Sequence, residues 1–87
     1  MQYTVKYTGT ALKRLKSIDF VYQQLITSKI KILASDMDSL QNNIKQLKGE
    51  ENLFRLRVAN YRVVYQKNEE TITILIVNIG HRKEIYD

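Results

Sequence analysis

The sequence contains no cysteine and no proline, and it has only three glycines and one histidine. Without cysteine the chain can form neither disulfides nor thiolate metal sites. No metal-binding constellation accompanies His81, and neither a Ser-His-Asp arrangement nor a P-loop motif occurs. We therefore expect no metal and no cofactor. The stability of an 87-residue chain must instead come from packing or from a partner.

Long apolar segments are also missing. The longest apolar run is Ile74–Val77, far below the ~20 residues that a transmembrane helix needs. The first residues, MQYTVKYTGT, lack the apolar segment of a signal peptide. Hydrophobic residues make up 44% of the chain and charged residues 26%, which is typical of a globular rather than a disordered chain. The sequence predicts one cytoplasmic domain, residues 1–87, with no membrane association.

The balance of charge is basic. Fourteen lysines and arginines stand against nine aspartates and glutamates, so the net charge is +5. Clustered cations bind phosphate favourably because binding releases counterions. The composition therefore favours a polyanion or an acidic protein as partner.

The first residues have the pattern of a strand followed by a short helix. Tyr3, Val5 and Tyr7 alternate with polar residues and would share one face of a strand. Thr8 or Thr10 can then cap a helix. The apolar residues of this helix recur at spacings of three: Leu12, Leu15 and Ile18. Its cations are expected to turn outward: Lys13, Arg14 and Lys16.

A second helix is expected after Asp19, which is a plausible N-cap. Apolar residues recur at three or four positions and predict that this helix runs to about Ala34 or Met37. Between Asp36 and Gly49 helical spacing persists, but polar residues are frequent, so we predict a partly helical connection. The two helices would form a hairpin over a sheet.

Three later segments, residues 53–59, 61–67 and 71–79, are rich in Val, Ile, Tyr and Thr and have the character of strands. The loops between them are too short for crossover helices, so the strands would form an antiparallel meander. The last segment is apolar at nearly every residue, which indicates an inner strand. The predicted fold is α+β: a small antiparallel sheet of the N-terminal strand plus the C-terminal three-strand meander, with the N-terminal helical hairpin packed on one face.

The segment LFRLRVANYRVVYQ holds three of the five arginines of the chain. A tight turn at residues 59–60 keeps the apolar side chains of the two strands on one face, and it pairs 58 with 61, 56 with 63 and 54 with 65. This register places Arg57 directly opposite Arg62, with Arg55 diagonal to Arg62. Like charges at such positions are unfavourable.

Charges that alternate along a strand usually form a solvated outer face, and that is the favoured interpretation for any single arginine. Three guanidinium groups converging on one patch, with no acidic residue on either strand, favour an anion site instead. The planar, bidentate donors of arginine suit phosphate well.

The last residues, NIGHRKEIYD, supply the only histidine, the fifth arginine and a penultimate tyrosine. Taken in order, LKG, LFRLRVANYRVVYQ, an apolar strand and GHRKEIY resemble the C-terminal half of the RelE/ParE superfamily of type II toxin-antitoxin toxins. The N-terminal strand and ALKRLKSID are compatible with the same superfamily. The resemblance implies a RelE-like, ribosome-dependent endoribonuclease that cuts mRNA in the ribosomal A site and is silenced by a cognate antitoxin.

The resemblance also implies roles for single residues. Arg62 matches an arginine that contacts the scissile phosphate, Arg82 a second functional arginine, and Tyr86 a near-terminal tyrosine that stacks on or orients the nucleotide. Arg55 and Arg57 stand where family members have basic residues, often lysines, and His81 also stands where several members have a basic residue. Candidate RNA-binding cations are Arg55, Lys83, Lys13, Arg14 and Lys16, although a solvated helix face is the simpler interpretation for the last three.

The implied chemistry is attack of a ribose 2′-OH on the adjacent phosphorus, without a metal. Arg57, Arg62 and Arg82 would stabilise the charge of the transition state. Arginine stays protonated and is a poor base. We therefore expect His81 or Tyr86 to contribute one proton transfer, and orientation of the nucleotide in the ribosome to supply much of the remaining acceleration.

Two other functions stay open from the sequence. ParE-like members share the fold and inhibit DNA gyrase. A non-catalytic module could also bind RNA or an acidic protein through the same patch, in a salt-sensitive way. The first of these alternatives and the RelE-like function both predict an antitoxin that covers the chain in a toxin-antitoxin hetero-oligomer.

Overall fold

The structure is a computed structural model, and it describes residues 2–49 and 51–83. Strand β1, Thr4–Tyr7, leads into helix α1, Gly9–Lys16, and helix α2, Phe20–Ser35. A 3₁₀ helix, Met37–Asn43, continues directly into strand β2, Ile44–Gln46. Strands β3, Leu53–Val58, β4, Tyr61–Asn68, and β5, Thr73–His81, complete the fold.

The two α-helices begin close to where the sequence predicts. Thr8 is the N-cap of α1, and its hydroxyl accepts a hydrogen bond of 3.1 Å from the Ala11 amide. Asp19 occupies the N-cap position of α2 but makes no side-chain hydrogen bond to that helix. The end of α2 at Ser35 agrees with the predicted limit.

The five strands form one sheet in the order β1-β5-β4-β3-β2. The C-terminal meander is antiparallel, and β5 is an inner strand, as expected. However, β1 pairs with β5 in parallel, so the sheet as a whole is mixed rather than antiparallel. The chain leaves β1 through the two helices and enters β2 at the opposite edge of the sheet, and β5 reaches β1 only after β3 and β4. Such a long connection allows the parallel pairing of β1 with β5. The α+β class with a helical hairpin on one face is confirmed.

The polar connection after α2 contains more than the predicted partial helix. Its 3₁₀ helix agrees with the prediction, but residues 44–46 add an edge strand to β3. Ile44 lies opposite Leu56 and packs against the core, which holds this short strand in register. Sequence reasoning missed β2 because three residues are too few to show an alternating pattern.

The core lies between the helices and one face of the sheet, here called the helix face. Its fully buried members come from both helices and from three strands: Ala11, Ile26, Ile30, Leu33, Leu56, Val63, Tyr65, Ile74, Ile76 and Ile79. Burial of each large side chain contributes about 1.5–3 kcal/mol relative to exposure. Within the described part of the chain, no helix has the length and apolar character needed to cross a membrane.

A β-bulge in β5 changes which side chains reach the core. Val64 pairs with Asn78 but Tyr65 pairs with Ile76, so Val77 is the additional residue. Thr8 contacts the bulge twice: its hydroxyl donates to the Val77 carbonyl at 3.1 Å and its amide donates to the Ile76 carbonyl at 2.9 Å. The bulge shifts the alternation of β5 by one residue. Consequently the side chains of residues 79 and 81, rather than 78 and 80, lie on the helix face.

Candidate functional site

The hairpin of β3 and β4 has the register that the sequence predicts. Its paired residues include Phe54 with Tyr65, Leu56 with Val63, Val58 with Tyr61, and Arg57 with Arg62. Arg57 and Arg62 are therefore direct cross-strand neighbours, about 4.5–5.5 Å apart at their Cβ atoms. Together with Arg55 they lie on the sheet face opposite the core, here called the arginine face.

Two of these arginines are shielded from water. Arg57 is exposed, whereas Arg55 and Arg62 are only partly accessible. The Nε atom of Arg55 and the Nη1 atom of Arg62 have almost no contact with solvent. A charge held in a medium of lower dielectric acts more strongly on a nearby anion than one surrounded by water.

Strand β2 adds a lysine to this face. Lys45 is the direct cross-strand neighbour of Arg55, and it is exposed. Paired residues of neighbouring strands point to the same side of the sheet, so Lys45 extends the arginine face toward the edge. Lys45 was not predicted from the sequence because β2 was not predicted. The sequence signal for it is the step from the inward-facing Ile44 to a cation at the next residue.

The turn of the hairpin connects Arg82 to this face. Ala59 and Asn60 form the two-residue turn, and Ala59 has a φ of 52°. The amide of Arg82 donates a hydrogen bond of 2.8 Å to the carbonyl of Asn60. This bond places Arg82 directly after β5 at the end of the sheet where Arg57 and Arg62 face each other, and Arg82 is exposed there.

His81 lies on the other side of the sheet. It pairs with Tyr61, and the two rings meet edge to face with centroids 5.7 Å apart. Tyr61 in turn contacts Tyr22 of α2 at 5.4 Å. The Nδ1 atom of His81 accepts a hydrogen bond of 3.3 Å from the Lys83 amide. The bulge at Val77 therefore places His81 on the face opposite the arginines, although the sequence predicted one site that contained both.

The cations of α1 do not behave as a single set. Lys13 and Lys16 are exposed, as predicted. Arg14 is partly buried, and its Nε donates a hydrogen bond of 3.0 Å to the Ile79 carbonyl. Arg14 thus ties α1 to β5 and is not turned outward. Lys83 is exposed beside Arg82, and Tyr86 falls outside the described residues.

Burial perturbs two tyrosines of the fold. The pKa of Tyr65 is raised well above its ordinary value, first because the side chain is buried and second because Tyr3 lies close to it. Burial also raises the pKa of Tyr7. Tyr65 stacks on Phe54 on the helix face, with centroids 5.6 Å apart. Its side chain therefore lies on the side of the sheet opposite the arginine face.

The chain is similar to known proteins over nearly its whole length. Residues 5–86 match the family described as the ParE toxin of the type II toxin-antitoxin system, parDE. The chain is 35% identical over 89 residues to Toxin RelE3 of Methanocaldococcus jannaschii. The aligned region covers 95% of this chain and 94% of that protein.

Solved structures extend the similarity to the whole fold. The archaeal RelE-RelB complex of Pyrococcus horikoshii matches with a TM-score of 0.81 and 25% identity, over 98% of this chain and 100% of the other. The RelB-RelE antitoxin-toxin complex of Methanococcus jannaschii matches with a TM-score of 0.65 and 31% identity, over 94% and 95% of the two chains. The chain therefore belongs to the ParE toxin family of type II toxin-antitoxin systems, and within the RelE/ParE superfamily it is a RelE-like toxin.

Proposed function

We propose that this toxin is a ribosome-dependent endoribonuclease that cleaves mRNA in the ribosomal A site and so inhibits translation. The observation that supports this function best is the arginine face, on which Arg55, Arg57 and Arg62 converge with Arg82 at the adjoining turn. Four permanent cations at one end of a sheet match the charge of an RNA backbone and of a phosphoryl-transfer transition state.

The proposed reaction begins when a ribose 2′-oxygen attacks the neighbouring phosphorus. The bond from phosphorus to the 5′-oxygen of the next nucleotide breaks, leaving a 2′,3′-cyclic phosphate and a free 5′-hydroxyl. Arg57 and Arg62 would hold the non-bridging oxygens, since each guanidinium presents a planar pair of donors. Arg82 would approach from the turn and neutralise charge as it develops. Binding of the mRNA in the ribosome would orient the 2′-oxygen for attack.

The reaction also needs one proton removed and one delivered. His81 is poorly placed for either step, because it packs against Tyr61 on the helix face. We therefore assign a proton transfer to Tyr86 and a packing role to His81. The His81→Ala variant should retain most of its cleavage rate, whereas Tyr86→Phe should lose it.

An antitoxin is the proposed partner of the helical layer. Leu12, Phe20, Val21 and Leu25 are apolar yet exposed, with Phe20 68% and Val21 72% accessible. The exposed cations Lys13 and Lys16 lie on α1, the same helix as Leu12. Such a surface fits an amphipathic segment with acidic residues. The matched archaeal structures are themselves complexes of RelE with RelB.

Cleavage of an mRNA on purified ribosomes tests the proposed activity. Toxin is added to ribosomes that carry a defined codon in the A site, and the 5′ ends of the products are mapped. Removing one preorganised donor typically slows such a step by about 10²–10³-fold, so we expect Arg62→Ala to lose activity on that scale. Lys31→Gln, an exposed charge change on α2, is the matched control. Full activity of both Arg62→Ala and Tyr86→Phe would disprove the assignment.

A second candidate function follows from the family match itself, since the matching family is named for ParE toxins. On that alternative the target is DNA gyrase. A supercoiling assay with purified gyrase decides between the two: inhibition of gyrase without cuts in ribosome-bound mRNA would replace the proposed activity. Salt-sensitive binding of RNA, together with neither mRNA cleavage nor gyrase inhibition, would identify a non-catalytic module.

A further inference from the structure

The cations of the arginine face form two rows rather than one cluster. Arg57 and Arg62 are paired across β3 and β4, and Arg55 and Lys45 are paired across β3 and β2. Each row therefore holds two cations on adjacent strands, about 5 Å apart at the backbone. Two donors at that separation can bind one phosphate from both sides.

The distance between the rows is set by the strand itself. Arg55 and Arg57 are two residues apart on β3, which corresponds to about 6.8 Å along an antiparallel strand. This distance is comparable with the separation of successive phosphates in an extended single strand of RNA. The geometry thus suits two neighbouring phosphates, one for each row.

The rows also define a direction across the sheet. The first row lies on β3 and β4 and the second on β2 and β3, so the cations run obliquely toward the β2 edge. Toward the other edge, the row of Arg55 continues to Val64 and Asn78, which carry no charge. Lys6 on β1 lies in a different row, beside Leu75 and Gln66. Arg82 and Lys83 continue the cations past the turn of the hairpin. Along β3 in the other direction, an RNA strand that crosses Arg57 and Arg62 next meets Arg55 and Lys45.

We propose that Lys45 and Arg55 form a second phosphate subsite, which holds the RNA phosphate next to the one bound by Arg57 and Arg62. This inference rests on the proposed RNA-cleaving function and adds to it a binding residue, Lys45, and a path for the strand. Lys45 acts in this subsite by contacting the RNA backbone, so its effect is independent of the base sequence.

The test is a binding measurement with a 2′-O-methyl oligoribonucleotide, which lacks the attacking hydroxyl and cannot be cleaved by the proposed reaction. Affinity is measured by fluorescence anisotropy between 50 mM and 200 mM salt. One phosphate contact on a single strand contributes about 0.7 to the salt slope. Lys45→Gln should lower the slope by that amount, so that its loss of affinity across this range is about threefold smaller than for the unmodified protein.

Three control variants make this result specific. Lys45→Arg should keep the slope, because the charge is kept. Lys31→Gln on α2 and Lys6→Gln at the far edge of the arginine face remove the same charge from exposed positions and should leave the slope unchanged. A variant that merely perturbed folding would alter affinity without reducing the slope by one contact.

A second measurement locates the contact on the RNA. Each phosphate of the oligonucleotide is replaced in turn by a neutral methylphosphonate. At one position, next to the position most sensitive to Arg62→Ala, Lys45→Gln should cause no additional loss. Additive losses at every position, or a Lys45→Gln slope equal to that of Lys31→Gln, would overturn the second subsite and leave the proposed function intact. If the unmodified protein binds the oligonucleotide no better than Arg62→Ala does, the arginine face does not hold free RNA and the second subsite is wrong. Loss of mRNA cleavage on ribosomes in Arg62→Ala would still support the proposed function, whereas full cleavage by that variant would overturn it as well.

Discussion

The direct opposition of Arg57 and Arg62 predicts that the site destabilises the free protein. Arg57 is exposed, so its repulsion from Arg62 is largely screened by water. With the charges about 6 Å apart and the dielectric constant near that of water, Coulomb's law gives about 0.7 kcal/mol. This agrees with the general scale of cross-strand pairs, about 0.2–1 kcal/mol. Replacing either arginine by glutamine should relieve this repulsion.

The perturbation is best measured as a double-mutant cycle of Arg57→Gln and Arg62→Gln. A cycle is needed because Arg62 also interacts with other parts of the protein, and the cycle cancels those interactions. Urea unfolding of the four proteins gives their free energies of unfolding. At 10 mM salt the coupling should be unfavourable by about 0.7 kcal/mol. At 1 M salt, where the Debye length falls to about 3 Å, it should approach zero.

Two results would refute this reasoning. A coupling that is zero or favourable at low salt would mean that the two guanidinium groups do not repel each other. A coupling that persists unchanged at 1 M salt would point to packing rather than charge. If the prediction holds, the same substitutions that relieve the repulsion should abolish RNA cleavage, which is the exchange of stability for function expected at a preorganised site.

Three further predictions concern the elements that support the site. Ala59 has a φ of 52°, so Ala59→Gly should raise the free energy of unfolding by about 0.5–1 kcal/mol; a lower melting temperature would contradict the turn. Thr8→Ala removes both the cap of α1 and the hydroxyl bond to the Val77 carbonyl, so urea unfolding should show a loss of about 1–2 kcal/mol that Thr8→Ser largely avoids. Burial raises the pKa of Tyr65 in the folded protein above 10.0. Above about pH 10, Tyr65 therefore loses its proton when the protein unfolds, and the free energy of unfolding should fall by up to about 1.4 kcal/mol per pH unit. Tyr65→Phe should make that decline shallower in urea unfolding between pH 9 and 11.5, and an unchanged pH dependence would show that Tyr65 ionises equally well when folded.

The arginine pair is the part of the site that sequence reasoning predicts most directly. The side chains of a strand alternate with a period of two, and a two-residue turn leaves one register that keeps Leu56 and Val63 together. Arg57 must then face Arg62, and the structure has this pairing. The helices follow from equally local signals, namely apolar spacing and the cap at Thr8.

Features that depend on residues distant in the chain could not be predicted from local sequence patterns. Strand β2 exists because Ile44 docks beside Leu56, and its three residues carry too little pattern to reveal it. The place of Lys45 beside Arg55 is therefore known only from the tertiary structure. The parallel pairing of β1 with β5 likewise depends on the path that the chain takes through both helices.

The arginines and His81 show most clearly what the sequence determines and what only the tertiary structure decides. The sequence by itself determined that three arginines share one face of the hairpin, because alternation and turn length are local properties. Only the tertiary structure decided that His81 lies on the opposite face, because a bulge at Val77 shifts the alternation of β5 by one residue. That bulge is held by Thr8, which is 69 residues away along the chain. A hydrogen bond between such distant residues forms only when the helices pack on the sheet, and no local pattern of residues predicts it.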